Sequence, residues 1–441
     1  MKLLIVAALV ATTVFGTATA QTNYENVDPS GQKITYWHNY TDRREELFDQ
    51  VVKEFNSSNE YGITVTASNQ GDYGDIFQKM LPLLNTDAAP DLVLAYQNQA
   101  ATYQLGNALA DMSPLVKSSK WGLSEEDLND FYPNFLEQDV FPTFDNARLG
   151  FPPNRSMEML YYNSDWLEEL GFDGPPQTPD AFREMTCAAS KTAYSGATGG
   201  GNSTGYELDV ADASHVAAWT FAFGGTIYDN QTNQFTYDGS ATTEAMNFLQ
   251  KLIDDGCISV VTEQYGDQTD FGAGRTLFTT GSTSGLPFYT SAVDEGAKFA
   301  WSVGALPHKG ANPVQDVYGS SVSMPKHTPE REVAAWVFLK YFTSADVQAR
   351  WARATGYFPV RKSVADGMTD YFEENPGYAD AFKLLEYGEA EPPVPGYDFV
   401  RDAVEQATAK ITNGADVAQT LADVNEEANG ILADQLAQLE Q

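Results

Sequence analysis

The chain of 441 residues carries 26 lysines and arginines against 61 aspartates and glutamates, a formal net charge of −35. Nucleic acids and anionic membrane surfaces are bound through basic patches, so this balance speaks against both as partners. A chain of this length exceeds one ordinary hydrophobic core and predicts two domains.

Residues 1–20 read as a secretory signal, with Lys2 as its charge, residues 3–15 as a short apolar core and Ala18-Thr19-Ala20 as the cleavage pattern. The apolar core falls short of the roughly 20 residues that a spanning helix needs. No cysteine sits at the cleavage point, so a cleaved signal peptide and a periplasmic or secreted protein without a lipid anchor are expected. The acidic excess also raises the idea of adaptation to a saline habitat, in which low salt lowers the melting temperature.

Strand, loop and amphipathic helix then alternate. Residues 33–37 predict a strand ending in His38-Asn39-Tyr40, followed by a helix over 42–55. Residues 63–66 predict a second, ending in the polar loop 69–73 ahead of a helix near 75–84. Residues 91–94 predict a third, ending at Tyr96-Gln97-Asn98-Gln99. This alternation is that of an α/β fold with a parallel sheet, whose ligands lie outside the carboxyl ends of the strands. The strand-end loops hold aromatic rings and side-chain amides rather than a nucleophile or a metal cluster. Such a composition favours gripping a polar small molecule over transforming it. Trp37, His38, Tyr40, Asp72, Tyr73, Gln97 and Gln99 are therefore binding candidates, with core packing as the competing reading of Trp37.

Further on, 149–152 and 157–162 look strand-like, and Thr178 and Pro179 suit the N-cap and first position of a helix over 180–192. Cys187 and Cys257 are the only cysteines. In an exported chain they predict one disulfide across about 70 residues, the alternative being two buried thiols. Residues 299–306 and 318–324 predict strands, 329–342 a helix with the stripe Val333, Trp336, Val337 and Tyr341 facing the core, and 398–441 helix throughout. Gly201-Asn-Ser203-Thr-Gly205 matches the G-x-S-x-G string. The glycine-rich run before it cannot supply the buried strand of a nucleophile elbow. His38, His215, His308 and His327 show no metal spacing. No catalytic residue, metal or cofactor is expected.

Several ordered motifs then carry a family likeness: Ile34-Thr-Tyr-Trp-His38, Val52-Lys-Glu-Phe-Asn56, Ala89-Pro-Asp91, Leu160-Tyr-Tyr-Asn163, Leu170-Gly171 and Pro175-Pro-Gln-Thr178. Gly224-Gly225, residues 271–275 and Ala354-Thr-Gly-Tyr-Phe-Pro-Val-Arg361 complete the set. In this order the chain resembles the family 1 extracellular solute-binding proteins of ABC importers, the maltose- and glycerol-3-phosphate-binding group. The resemblance implies a two-lobed periplasmic-binding-protein fold with discontinuous lobes, 32–145 plus 312–365 and 146–311 plus 366–441. It implies an interlobe ligand cleft that closes by a hinge and a monomer that delivers its ligand to a membrane permease. It adds Asn154 and Ser156 from the crossing segment, Trp219 ahead of Gly224, the hydroxyl cluster Ser282, Thr283 and Ser284, then Tyr318, Gly319, Ser320 and Tyr357. One departure stands out: the glycerol-3-phosphate members carry an arginine in a glycine-flanked loop, where this chain reads Pro392-Pro-Val-Pro-Gly-Tyr397, with Arg401 only later. A mono- or oligosaccharide is therefore expected, with glycerol-3-phosphate or a glycerophosphodiester as the alternative. From other classes, a secreted glycosidase and a binding protein serving a chemoreceptor remain open.

Overall fold

Residues 22–439 apart from 262 and 264 are described by the structure, a computed structural model; the expected signal peptide at 1–20 lies outside them. The first sheet has the order Ser321–Ser323, Leu92–Ala95, Lys33–His38, Thr64–Asn69. Its three early strands run parallel, with Ile34 beside Val65 and Tyr36 beside Leu92. The period of two along Lys33–His38 buries Ile34, Tyr36 and His38 on one face and leaves Trp37 half-buried on the other. Leu92–Ala95 is buried on both faces, as a central strand covered by helices must be.

Helix Asp42–Ser58 covers that sheet with Phe48, Val51, Val52 and Phe55. Their i, i+3, i+4, i+7 spacing makes one apolar stripe. Phe48 meets Tyr36 with ring centroids 4.9 Å apart. Removing such a ring costs about 3–5 kcal/mol. Helix Pro329–Phe342 packs beside it and is buried more widely than the expected stripe: Ala334, Ala335, Phe338, Leu339 and Phe342 join Val333 and Trp336, while Val337 and Tyr341 stay half-exposed. The helix is wedged between neighbours rather than laid on one surface.

The second sheet has the order Ser259–Val261, Thr204–Asp209, Thr276–Ser282, Ser156–Asn163, Gln315–Tyr318, Gly388–Glu389, and Trp301–Gly304 also pairs with Ser156–Asn163. Helices Pro179–Ala189, Ser214–Ala222, Ser240–Asp254, Tyr397–Thr412 and Val417–Leu436 close a second core around Trp166, Phe182, Tyr206 and Trp219. Cys187 and Cys257 form the expected disulfide, with Cα atoms 4.4 Å apart. It ties the first of those helices to the segment leading into Ser259–Val261.

Between the sheets the chain crosses in neighbouring, hydrogen-bonded segments. Phe151 bridges Val322, Arg155 bridges Phe358, and Ser156 pairs with Tyr318. The expected single strand over 318–324 is in fact two strands in different sheets, Gln315–Tyr318 and Ser321–Ser323. Gly319 makes the break with φ +150°, and a Cβ there would lie 3.2 Å from the Cα of Arg155. The chain thus passes from the second sheet to the first at Gly319. Ala147–Arg148 pairs with Val140–Phe141 in a small sheet of its own, and Phe151 then bridges Val322 of the first sheet. Arg155 is fully buried at this junction and donates to the Phe135 carbonyl at 3.1 Å, to Gln138 Oε1 at 2.9 Å and to Asp139 at 3.3 Å.

Candidate functional site

A cleft opens where the strand ends of the two lobes face each other. From the first lobe it is lined by Tyr96, Gln97 and Asn98, at the carboxyl end of Leu92–Ala95, and by Gln138. The second lobe supplies Tyr318, Ser214, Glu391, Tyr397 and Arg401. Tyr397 and Arg401 are one helical turn apart on Tyr397–Thr412, which places both on one face.

Of the sequence-derived candidates Gln97 and Tyr318 line this cleft, Tyr73 packs against its Tyr96, and Asp72, Ser282, Ser284 and Tyr357 lie outside its lining. Tyr73 packs its ring 4.5 Å from that of Tyr96 and shares a hydrogen bond with Ser320 Oγ at 3.1 Å. Gln97 donates to Asp139 at 3.1 Å, to Ser321 Oγ at 3.2 Å and to the Gly319 carbonyl at 3.3 Å. It therefore joins the cleft wall to the hinge. Tyr318 gives its hydroxyl proton to Glu158 at 2.5 Å, and Glu158 faces His215 Nε2 at 3.1 Å. Asp72 is exposed and caps helix Tyr73–Met80 through the amide of Asp75. Ser282 and Ser284 bond each other at 2.9 Å. The Ser284 carbonyl accepts from Arg44, whose guanidinium lies between the rings of Phe288 and Tyr357 at 4.9 and 5.0 Å.

Other candidates are structural. His38 and Tyr40 are buried in the first core, stacked 5.0 Å apart, with Tyr40 against Phe48 and Trp351. Burial pushes the His38 pKa down to about 4, so its ring is neutral. Trp37 packs on the cluster of Ile76 and Phe77, which favours its core reading. Trp219 is fully buried among Phe182, Tyr206 and Phe248 and donates to the Tyr206 hydroxyl at 3.4 Å, so it cannot stack on a ligand. Gly224 takes φ +84° in the turn after Ser214–Ala222. Gln99 is buried and caps its own helix through the Tyr96 amide at 3.0 Å. Asn154 accepts from Trp351 Nε1 at 3.1 Å, Ser156 bonds the Tyr318 carbonyl at 3.2 Å, and Thr283 accepts from the Met157 amide at 3.2 Å. These three pin the crossing strands.

Sequence reading missed Tyr96, Asn98, Gln138, Ser214, Glu391, Tyr397 and Arg401 as cleft residues. The helix expected from residue 398 in fact begins at Tyr397, which puts Tyr397 and Arg401 at i, i+4 spacing on one helix. Arg401 is the centre of a charge network. Its Nη1 donates to Glu391 at 2.8 and 3.0 Å and to Ser214 Oγ at 3.0 Å, and its Nη2 donates to Asp212 at 2.8 Å. Burial works against charge on Asp212, yet Arg401 holds its pKa below the usual range. Behind this network Asp316 is fully buried, and burial together with Glu391 pushes its pKa well up. Among the described residues no three metal-ligating side chains converge, and no helix is long and apolar enough to cross a membrane.

Two α/β lobes joined by hydrogen-bonded crossings, with a polar, aromatic cleft between their strand ends, define a hinged solute-binding protein. The chain belongs to the bacterial extracellular solute-binding protein family, whose sequence profile matches residues 50–380. It is the solute-binding component of an ABC importer, a class that carries small molecules to a membrane permease. Among curated relatives, the sn-glycerol-3-phosphate-binding periplasmic protein UgpB of Escherichia coli K12 is 24% identical over 378 residues, 82% of either chain. Among solved structures, UgpB from Mycobacterium tuberculosis in complex with glycerophosphocholine superposes with a TM-score of 0.76 at 22% identity, covering 91% of this chain and 99% of that one. Maltose-bound MalE3 of T. maritima gives 0.75 at 21% identity, covering 91% and 100%.

Proposed function

We propose that the interlobe cleft binds a neutral carbohydrate, a mono- or oligosaccharide, and releases it unchanged to the permease. The observation that carries this reading is the composition of the walls: the rings of Tyr96, Tyr318 and Tyr397 stand beside the amides of Asn98 and Gln138. Rings suit the C–H faces of a sugar and amides its hydroxyls. Tyr73, Gln97 and Tyr318 of the sequence-derived set, with Tyr96, Asn98, Tyr397 and Arg401, are the proposed ligand contacts. The protein works as a monomer, exported by a signal peptide cleaved before Gln21 and carrying no lipid, with lobes that exchange at 151–156, at Gly319 and at 358–361.

A second reading, glycerol-3-phosphate or a glycerophosphodiester, is favoured by the guanidinium of Arg401 within the cleft. Calorimetric titration of the chain from residue 21 onward, with maltose, glucose, glycerol-3-phosphate and glycerophosphocholine, separates the two. Binding of a neutral sugar alone supports the first; binding of phosphate esters alone replaces it with the second. Turnover of an aryl glycoside would remove the assignment as a pure binding protein.

A further inference from the structure

We propose that Glu391 is a built-in counter-anion that sets the charge specificity of the cleft, occupying the anion position formed by Arg401 and Ser214 so that phosphate- and carboxylate-bearing ligands are rejected. The inference rests on the cleft being the ligand site and adds a residue that decides which charge class enters.

Glu391 belongs to the strap between strand Gly388–Glu389 and helix Tyr397–Thr412. Pro392, Pro393 and Pro395 follow it; each fixes its own φ and lacks an amide donor, so the strap is stiff. The strap also walls a neighbouring hollow lined by Phe221, Tyr228 and Asn230. Val394 anchors the strap on the second core, while Glu391, Pro392 and Pro393 line both spaces.

The seat of its carboxylate is built as a ligand anion's would be. Arg401 Nη1 reaches both oxygens at 2.8 and 3.0 Å, and the Ser214 hydroxyl donates to Oε1 at 2.6 Å. Charge-assisted donors of this kind are the strongest that a protein offers an anion. Ser214 opens helix Ser214–Ala222, whose amino-terminal end adds partial positive charge. Asp212 takes the other arm of the guanidinium at 2.8 Å. With both arms matched by carboxylates of the chain itself, an incoming phosphate meets two negative groups and no free cation, whereas a hydroxyl meets only acceptors and donors. Glu391 is 12% exposed at its side chain, so it stands at the surface an incoming ligand would touch.

The test is titration of inorganic phosphate and glycerol-3-phosphate into the wild-type chain and into Glu391→Gln, Glu391→Ala and Glu389→Gln. Glu389 lies two residues away, is exposed and has no contact with Arg401, so its variant removes the same net charge without freeing the guanidinium. Phosphate binding is expected to tighten about tenfold or more in both Glu391 variants, the scale of one charge-assisted contact, and to stay unchanged in Glu389→Gln. The proposal is overturned if the folded Glu391 variants bind phosphate no better than wild type, or if Glu389→Gln gains as much. It is also overturned if neither Glu391 variant folds, which would make the pair a structural one, or if the wild type already binds phosphate esters tightly. Maltose is titrated into the same samples. Loss of sugar binding in the wild type counts against the carbohydrate reading alone, and the phosphate result still decides the role of Glu391.

Discussion

Trp219 shows how residue type and residue role separate. A tryptophan near a diglycine looks like a stacking platform, yet its ring has no exposure and lies against Phe182 and Phe248. Trp219→Ala is expected to cost about 3–5 kcal/mol in denaturant unfolding, while Trp219→Phe keeps most of the packing and leaves ligand affinity unchanged. A large affinity loss in the folded Phe variant would return Trp219 to the cleft. His215 makes a different kind of contribution. Burial alone lowers its pKa, but the hydrogen bond and charge of Glu158, with Asp212 and Asp209, win and raise it to about 10 from 6.5. A raised folded pKa means stability that is complete below about pH 6.5 and lost as pH climbs through about 10. The melting temperature should therefore fall between pH 7 and 10, and His215→Gln should flatten that slope while costing roughly 2 kcal/mol at pH 7. An equally steep slope in the variant would remove His215 as its source. Residue roles of this kind were the least legible part of the sequence. Burial of His38, Tyr40 and Trp219 depends on what packs over them from distant segments, which local pattern does not encode.

At the scale of elements much more could be read. The three early strands and the helix over Asp42–Ser58 follow from alternation and from the 48, 51, 52, 55 stripe, both local signals. The break at Gly319 did not follow, because Tyr318–Met324 is uniformly strand-like and only the pairing partners reveal that its halves serve different sheets. Arg401 was placed outside the site for a similar reason: its distance along the chain from the proline strap conceals that one helical turn brings it beside Tyr397. The disulfide is an element-level feature as well. It closes a loop of 70 residues between helix Pro179–Ala189 and the turn ahead of strand Ser259–Val261. In the loop-entropy view it contributes about 4 kcal/mol. Cys187→Ser with Cys257→Ser, or reduction of the native protein, should lower unfolding free energy by that order without abolishing the fold. A change below about 1 kcal/mol would show that the reduced, unfolded chain keeps structure that already restrains the loop.

At the scale of the whole molecule two features act together, lobe contact and charge. The lobes touch through Phe77 and Phe399, with ring centroids 5.8 Å apart, and through the Gly396 amide on Thr102 Oγ1 at 2.9 Å. This compact arrangement brings a formal net charge of −35 into one small volume. Self-repulsion then works against the folded state and is relieved on unfolding. Raising sodium chloride from about 0.01 M to 1 M shortens the Debye length from about 30 Å to 3 Å. Salt also weakens surface pairs such as Arg350 with Glu54 and Arg353 with Asp370. Exposed pairs are worth only about 0–1 kcal/mol each, and with 26 basic residues against 61 acidic ones most acids cannot be matched. Repulsion should dominate, so the melting temperature should rise with salt, most steeply at the dilute end where the screening length changes most. Chloride is the right probe, since sulfate strengthens burial by exclusion from the surface and would raise stability for another reason. A melting temperature that stayed flat or fell across that range would mean that the acids are spaced widely enough for water alone to screen them.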